Sequence, residues 1–323
     1  MKRLALALCA CLLAALTTSL HAADAVWPSK PIRIIISFSP GALTDVIARM
    51  YGNELSKRLN VPVIVENNAG AGGVIASQNL AASAPDGYTL LFVSSGHAVN
   101  PALKKSLPFN TTADFAGVAL VASSPTLVIT NGNSSFKSFG DLIDFARKKP
   151  GVLNYGSAGV GSATHLAGEY LLMEACIKMN HIPYKGVQEA VSEVFAARID
   201  TAFPPIALAL PFIRDGRLRA LAITGSKRSE LLPAVPTVAE LGYKDFDYGI
   251  WYAFVTRAGV PKPILTRMAG EIRKISEMPE IQAKMKSQGL ELSNLELGEF
   301  DKYIASEMSK FSRIVKAAGI QPD

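Results

Sequence analysis

The feature that most constrains the fold is the regular alternation of short apolar runs with longer helical patterns. Residues 32–38 form a nearly continuous run of β-forming residues, as expected for a strand that is buried on both faces. A Pro-Gly turn follows, then a helical segment at 44–59, a second strand at 61–65 and a third at 88–93. Strands that alternate with helices predict an α/β fold with mostly parallel sheets and helices on both faces.

The same alternation continues toward the C-terminus. Further strands are predicted at 117–122, 126–130, 152–155, 181–184, 220–224 and 251–255. Ser138, with Asp141 three residues later, has the pattern of a capping box at a helix start, and Pro263 suits the first turn of another helix. With 323 residues, 49% of them hydrophobic, the chain exceeds the size at which single cores stop growing, so we expect two domains.

The N-terminus has the pattern of a secretory signal peptide. Lys2 and Arg3 precede an apolar run that ends at Leu16, and small residues follow. The run is shorter than the roughly 20 apolar residues of a membrane span. We therefore expect residues 1–23 to be a signal peptide, cleaved after Ala22 or Ala23, and the mature protein to be exported to the periplasm.

Removal of that segment changes the charge and the cysteine count. The mature chain keeps 31 basic side chains against 27 acidic ones, a net charge of +4 that is spread without a basic run. This distribution argues against a nucleic-acid partner and mildly favours anionic ligands. One cysteine remains, Cys176, so no internal disulfide can form, and its apolar helical surroundings predict a buried packing residue.

Two glycine-containing loops have features that indicate a function as well as a fold. The first loop, residues 38–45, and the second loop, residues 155–165, each join the end of a predicted strand to the start of a helix. Amide groups at a helix start are unpaired and lie at the positive end of the helix dipole, so such loops bind anions without a charged side chain. The sequence therefore predicts a cleft that binds an anion between these two loops.

The candidate ligand contacts come from these loops and from one further position. They are Phe38, Ser39, Gly41, Ala42, Leu43, Thr44, Asp45, His97, Ser157, Ala158, Gly159, Gly161, Ser162 and His165. Thr44 and Asp45 also fit a purely helix-capping role, and His165 and His97 also fit structural roles. The second loop could be only a structural turn; its G-x-x-G-x-G spacing is a weak match to a dinucleotide loop. The hydroxyls of Ser157 and Ser162 are expected to reach an anion held by the loop amides.

The sequence contains few of the residue patterns that catalysis requires. The chain has no G-x-S-x-G elbow, only three histidines outside the signal segment, and no H-x-x-x-H motif or carboxylate cluster. We therefore predict a binding protein with no metal and no cofactor. An exported hydrolase is the less favoured alternative.

A series of short motifs resembles one family over nearly the whole mature chain. In order they are 27–34 (WPSKPIRI), 40–45 (PGALTD), 65–67 (VEN), 70–73 (GAGG), 85–91 (PDGYTLL), 100–101 (NP), 155–157 (YGS), 161–162 (GS), 165–169 (HLAGE), 183–186 (PYKG), 218–224 (LRALAIT) and 235–237 (VPT). Their ordered recurrence is similar to the substrate-binding proteins of tripartite tricarboxylate transporters, often called Bug receptors.

The resemblance implies a two-domain periplasmic binding protein of the Venus-flytrap type. Domain 1 is then expected at 24–124 plus 250–323 and domain 2 at 125–249, with two crossing strands between them. The family holds a ligand carboxylate with amides and hydroxyls of the two loops and with ordered water. The implied partners are a small organic carboxylate and membrane transporter subunits, and the implied state is a monomer. A sensor that presents its loaded form to a signalling partner is the alternative.

Two positions depart from the family pattern. Ala42 stands where the first loop usually has a second glycine, so its methyl group is expected to narrow the approach to the ligand. Pro204 follows Phe203 where many members have an aspartate, and this makes Pro204 a further candidate contact that affects ligand selection.

Overall fold

The computed structural model describes residues 27–322, so the predicted signal peptide lies outside the described residues. The strands are β1 (Ile32–Ile36), β2 (Val63–Asn67), β3 (Thr89–Ser94), β4 (Phe115–Pro125), β5 (Leu127–Asn131), β6 (Asn154–Ser157), β7 (Asn180–Pro183), β8 (Thr201–Ala202), β9 (Leu218–Ile223), β10 (Gly249–Arg257) and β11 (Glu291–Leu292). The α-helices are α1 (Leu43–Leu59), α2 (Val74–Ala81), α3 (Gly96–Leu103), α4 (Phe139–Lys148), α5 (Ala163–Ala175), α6 (Val187–Phe195), α7 (Ile206–Arg214), α8 (Lys262–Ser276), α9 (Pro279–Ser287) and α10 (Leu297–Ala317).

The strands form two sheets. The first has the order β11-β4-β10-β3-β1-β2, and the second has the order β7-β6-β8-β5-β9. All nine predicted strands are present, with ends shifted by a few residues. The two-residue strands β8 and β11 were not predicted because two residues carry no readable periodicity.

The expectation of mostly parallel sheets is wrong, because both sheets are mixed. In the first sheet β1 pairs in parallel with β2 and β3, whereas β10 runs antiparallel to both β3 and β4. In the second sheet β6 pairs in parallel with β7 and β8, whereas β5 is antiparallel to β8 and β9. The first sheet's antiparallel pair arises because the chain leaves it through β4 and returns through β10 in the opposite direction.

These two strands connect the halves of the molecule. β4 ends at Pro125, and two residues later β5 begins in the second sheet. β10 begins at Gly249, which pairs with Pro125, and Ile250 pairs with Ser124. The chain therefore crosses twice between the sheets at one place, as expected from the resemblance.

Local sequence signals have mixed outcomes. Ser138 and Asp141 form the predicted capping box at the start of α4, and α8 has its proline in the first turn. The prediction for Cys176 is wrong, because this residue is exposed. α5 ends at Ala175, and Cys176 adopts a left-handed conformation with φ 51° that turns the chain out of the helix.

Candidate functional site

A cleft of about 730 Å³ lies between the two halves of the molecule. Its volume is in the range of small-molecule sites. It is lined by Phe38, Ala42, Leu43, Thr44, Gly72, Ser94, Gly96, Val99, Asn100, Leu103, Lys104, Val160, Gly161, Ser162, Ala163, Ile250, Tyr252, Ile320 and Gln321. The lining is largely apolar and contains a few polar groups, as is usual where one or two polar features fix the orientation of a ligand.

The first loop presents an uncapped helix start to this cleft. Ala42 is the N-cap of α1 and has no side chain that could accept a hydrogen bond from the first turn. Its φ of −65° and ψ of 157° are ordinary for an L residue, so the backbone here does not need glycine. The amides of Leu43 and Thr44 belong to the first turn, which has no intrahelical acceptors. Ala42 lines the cleft.

Thr44 is a second, independent indication of a ligand at this place. Its side chain is only 4% exposed and lines the cleft. Its Oγ1 atom is buried and has no hydrogen-bond partner among residues 27–322. Buried hydroxyls almost always have a partner, and leaving one unpaired costs about 1–3 kcal/mol. A ligand oxygen or a ligand-bound water in the cleft would supply that partner.

Asp45 holds the first loop in shape and does not line the cleft. Its carboxylate accepts hydrogen bonds from the Gly41 N–H at 3.0 Å, from Arg49 at 2.9 Å and from Asn67 at 2.8 Å. Burial opposes ionisation of Asp45, but these hydrogen bonds and the Arg49 charge outweigh it and hold its pKa below the ordinary value. The amide of Gly41 is thereby used within the loop. Ser39 is likewise absent from the cleft lining.

The second loop differs, because most of its donors have internal partners. The Ala158 N–H donates to Thr164 Oγ1 at 2.9 Å, and the Gly159 N–H donates to Ser157 Oγ at 3.1 Å. The Gly161 N–H donates to His165 Nδ1 at 3.0 Å. The expected row of free amides is therefore not present at Ala158, Gly159 and Gly161.

The serine hydroxyls of this loop are also occupied. Ser157 is completely buried, and its Oγ lies 2.6 Å from His181 Nε2. Ser162 Oγ caps α5 by accepting a hydrogen bond from the His165 N–H at 3.2 Å. Of the second-loop candidates, only Gly161 and Ser162 line the cleft. The expectation that the Ser157 hydroxyl reaches a ligand is corrected, because the hydroxyl supports the loop from behind.

A buried cluster of aromatic and titratable side chains lies beneath the second loop. The rings of His165 and His181 stack with their centroids 3.8 Å apart, and Tyr155 stacks on His181 at 5.0 Å. Glu169 accepts a short hydrogen bond from Tyr155 and lies 3.6 Å from His165 Nε2. Burial, with the adjacent His165 as a further cause, lowers the pKa of His181 to about 4. The cluster, including His165, is a support for the loop and lies outside the cleft lining.

Ser157 and His181 form a pair that could suggest a nucleophile with its base. However, Ser157 has no exposed surface, so a substrate in the cleft cannot reach its oxygen. Glu169 contacts Tyr155 and His165 in this cluster. The pair therefore lacks the access that nucleophilic catalysis requires.

Two further candidates lie away from the cleft. His97, the second residue of α3, is buried with its ring in edge-type contact with Phe115, and burial lowers its pKa to about 4. Neither of its ring nitrogens has a hydrogen-bond partner among the described residues. Pro204 is buried, and its carbonyl oxygen accepts a hydrogen bond from the Leu127 N–H at 2.9 Å. Neither residue lines the cleft, contrary to the prediction that both contact the ligand.

Sequence reasoning missed much of the remaining wall. The missed side chains come from α3 and the residue after it, from β10 and from the C-terminal segment, and include Asn100, Lys104, Tyr252 and Gln321. Asn100 belongs to a motif shared with the family, which was a usable signal. Tyr252 and Gln321 come to the cleft only through the crossing strand and the chain end, which no local pattern indicates.

Among residues 27–322, no cluster of three or more His, Cys, Asp and Glu side chains is arranged to hold a metal ion. None of the helices in this part is both long enough and apolar enough to span a membrane.

Two mixed α/β sheets, joined by crossing strands around a largely apolar cleft, define a two-domain solute-binding protein of the Venus-flytrap type. The family described as "Tripartite tricarboxylate transporter family receptor" matches residues 47–320, and the chain belongs to this family. The resemblance found in the motifs is thereby confirmed.

Individual relatives agree with this assignment. The protein BugT of Bordetella pertussis is 34% identical over 295 residues, which cover 91% of this chain and 90% of BugT. The solved structure of R. palustris Rpa4515 with adipate is 26% identical, with a TM-score of 0.75, and the match covers 92% of this chain and 100% of that one. MatC from Rhodopseudomonas palustris with bound malate is 25% identical, with a TM-score of 0.70, over 90% of this chain and 100% of MatC.

Proposed function

We propose that this protein is a periplasmic receptor that binds a small organic carboxylate and delivers it to a membrane transporter. The observation that carries the proposal is the buried hydroxyl of Thr44, which has no partner among residues 27–322 and lies beside the uncapped start of α1 in the cleft. The adipate and malate bound by two related proteins support a carboxylate as the ligand.

The geometry of the first loop matches the chemistry of a carboxylate. Its two oxygens accept several hydrogen bonds, and the amides of Leu43 and Thr44 with the Thr44 hydroxyl offer donors on one side of the cleft. The positive end of the α1 dipole favours the negative charge. Since the surrounding wall is apolar, these donors act in a site of low polarity, where hydrogen bonds to an ion are strong.

The ligand is held and released without chemical conversion in this proposal. Domain 1 comprises 24–124 plus 250–323 and domain 2 comprises 125–249, and they close about the crossing strands near Pro125 and Gly249. Small-angle scattering with and without ligand measures this closing; an unchanged radius at saturation contradicts it. The receptor acts as an exported monomer, without residues 1–23 and without a nucleic-acid partner, which mass spectrometry of the secreted protein and gel filtration test.

The substitution Thr44→Val tests the site directly. Valine keeps the shape of the side chain and removes the hydroxyl, so we expect carboxylate affinity to fall about 10- to 100-fold. Thr111→Val is the matched control, because Thr111 Oγ1 is also buried without a partner among the described residues but lies outside the cleft. Affinities are measured by calorimetry after a thermal-shift screen of carboxylates and neutral sugars identifies ligands.

Two results would contradict the proposal. One is a thermal shift with a neutral sugar and none with any carboxylate. The other is equal carboxylate binding by Thr44→Val, Thr111→Val and the unchanged protein.

A further inference from the structure

Tyr248 lies directly before β10, on the segment by which the chain returns from the second sheet to the first. The Tyr248 N–H donates to the Thr224 carbonyl at 2.8 Å, and Thr224 Oγ1 lies 2.9 Å from the Tyr248 carbonyl oxygen. Thr224 is also bonded to Thr126, the residue between β4 and β5 on the outgoing crossing, through two hydrogen bonds of 2.9 Å. All three residues are at most 1% exposed. The two crossings are therefore held together where they reach the second sheet.

The side chain of Tyr248 reaches from this crossing to the second-loop wall of the cleft. Its hydroxyl donates to the Ala163 carbonyl oxygen at 2.6 Å. Ala163 is the first residue of α5 and lines the cleft together with Gly161 and Ser162, which precede it. Burial raises the pKa of Tyr248, so the hydroxyl keeps its proton and remains a donor. One buried side chain thus connects the crossing strands with the cleft wall.

The ring of Tyr248 also contacts α10, whose extension forms another part of the cleft wall. It meets the Phe311 ring edge-on, with the ring centroids 6.1 Å apart. Beyond the end of α10, Ile320 and Gln321 line the cleft. A ring contact of this kind tolerates small shifts, whereas a hydrogen bond restricts both distance and angle. Tyr248 therefore fixes the start of α5 more strictly than it fixes α10.

The second loop has little freedom of position against the opposite wall. Gly161, with φ 76°, lies so close to α3 that a Cβ there would be 3.0 Å from Leu103 Cδ1. Both residues line the cleft, one from each half of the molecule. Since such contacts are close-packed, a small shift of the loop changes the shape of the cleft.

We propose that Tyr248 is a positioning residue that fixes the second loop to the crossing strands, so that this wall of the cleft moves with the strands as one body when the two halves close on a ligand. The inference rests on the proposed function for the closing motion. Tyr248 does not itself line the cleft, so it acts on the ligand only through Ala163 and the second loop.

A purely structural role of the same hydroxyl gives a different experimental result. Loss of a buried hydrogen bond lowers stability wherever the bond lies. Tyr51 supplies the matched control, because it is fully buried and its hydroxyl lies 2.7 Å from Ser276 Oγ. That bond joins α1 to α8, and neither of its residues lines the cleft.

The experiment compares Tyr248→Phe with Tyr51→Phe, since each keeps the ring and removes one hydroxyl. Amide hydrogen exchange of residues 158–166 is measured in the ligand-free protein. We expect it to be about 2- to 10-fold faster in Tyr248→Phe and unchanged in Tyr51→Phe, because only the first variant frees the start of α5.

Calorimetry then measures whether the position of the loop affects binding. The probe is adipate or, if adipate does not bind, the carboxylate with the largest thermal shift. We expect a loss of affinity of about 2- to 10-fold in Tyr248→Phe and none in Tyr51→Phe, although both variants are less stable than the unchanged protein.

Three results would overturn the inference. The first is an unchanged exchange rate of residues 158–166 in Tyr248→Phe. The second is the same change in both variants, which would show a general loss of stability. The third is faster exchange with an unchanged carboxylate affinity. Failure of the proposed function is a separate result, because it appears as the absence of carboxylate binding by the unchanged protein, and the exchange rates then still decide whether Tyr248 fixes the loop.

Discussion

The two loops at the cleft occupy the same position between a strand and a helix but use their hydrogen-bond donors differently. Each joins a strand to a helix through glycine, and both were predicted to present amides to an anion. In the first loop, α1 begins at an alanine cap and Thr44 Oγ1 has no partner among the described residues. In the second loop, Ser162 caps α5 and the amides of Ala158, Gly159 and Gly161 have internal acceptors. The first loop therefore has donors available for the anion of the proposed function, whereas those of the second loop are used within the loop.

This difference comes from the side chains that accept hydrogen bonds from each loop or support it. His181 on β7 holds the Ser157 hydroxyl, and His165 on α5 holds the Gly161 amide. In the first loop the corresponding support comes from Asp45, whose carboxylate accepts a hydrogen bond from the Gly41 N–H. The amides that follow at the start of α1 have no side-chain cap. A loop motif therefore shows where donors can be, and the supporting side chains decide which donors stay available.

The largest expected effect is acid destabilisation through one histidine in each half of the molecule, the buried His97 and the half-buried His181. Burial lowers the pKa values of His97 and His181 to about 4, below the ordinary value of about 6.5. Between these values the unfolded chain binds protons that the folded protein does not, so stability is full above pH 6.5 and is lost as the pH falls toward 4. The loss is at most about 3 kcal/mol for His97 and smaller for the less buried His181.

Urea unfolding at pH 7.5 and 4.5 measures this loss. The pKa values of Asp45 and Glu169 are lowered, so these carboxylates lose their contribution to stability mostly below pH 4.5. They therefore contribute little to the difference between pH 7.5 and 4.5. His97→Phe and His181→Gln should each reduce the difference between the two pH values.

Burial raises the pKa values of Glu291, Asp301 and Glu307, and these groups oppose the loss because the folded protein binds their protons first. The variants are therefore compared with the unchanged protein, and a pH dependence that stays the same in both variants would contradict the neutral state of these rings.

The substitution Ala42→Asp should make the first loop resemble the second. An aspartate at the N-cap of α1 accepts hydrogen bonds from the first-turn amides and adds a negative charge where we propose that the ligand carboxylate binds. We expect carboxylate affinity to fall at least about 100-fold. The ligand-free protein should be unchanged or more stable by up to about 1 kcal/mol, with repulsion from Asp45 reducing the gain. Calorimetry and thermal unfolding measure the two effects.

Ala42→Asn is the matched control for the added charge. It also caps the helix but is neutral, so its loss of affinity should be smaller than that of Ala42→Asp. If Ala42→Asp binds carboxylates as well as the unchanged protein does, the ligand is not held at the start of α1.

Much of the fold was predictable from the sequence, because the alternation of apolar runs and the caps are local. The mixed pairing of β10 was not, since its direction depends on the chain returning from the second sheet. Within the site, Thr44 and Leu43 were found because a helix start is a local feature. Lys104 was missed because it comes to the cleft through the packing of α3 against both loops, and the supporting role of Ser157 was missed because His181 lies 24 residues away.

The smallest expected change in ligand affinity is that of the substitution Ser157→Ala, and it distinguishes the roles of the two loops. Ser157 Oγ lies 2.6 Å from His181 Nε2 and accepts a hydrogen bond from the Gly159 N–H, and the Ser157 side chain itself is fully buried. Ser157→Ala leaves these groups unpaired, so we expect a loss of about 1–3 kcal/mol in the free energy of unfolding. Ligand affinity should change less than about twofold, as no change of about 0.4 kcal/mol or more is expected at a residue that lies outside the cleft and whose side chain bonds to no residue of its wall. Thr44→Val should give the opposite pattern. If Ser157→Ala instead weakens binding tenfold with an unchanged melting temperature, the second loop contacts the ligand through this hydroxyl, and the contrast between the two loops fails.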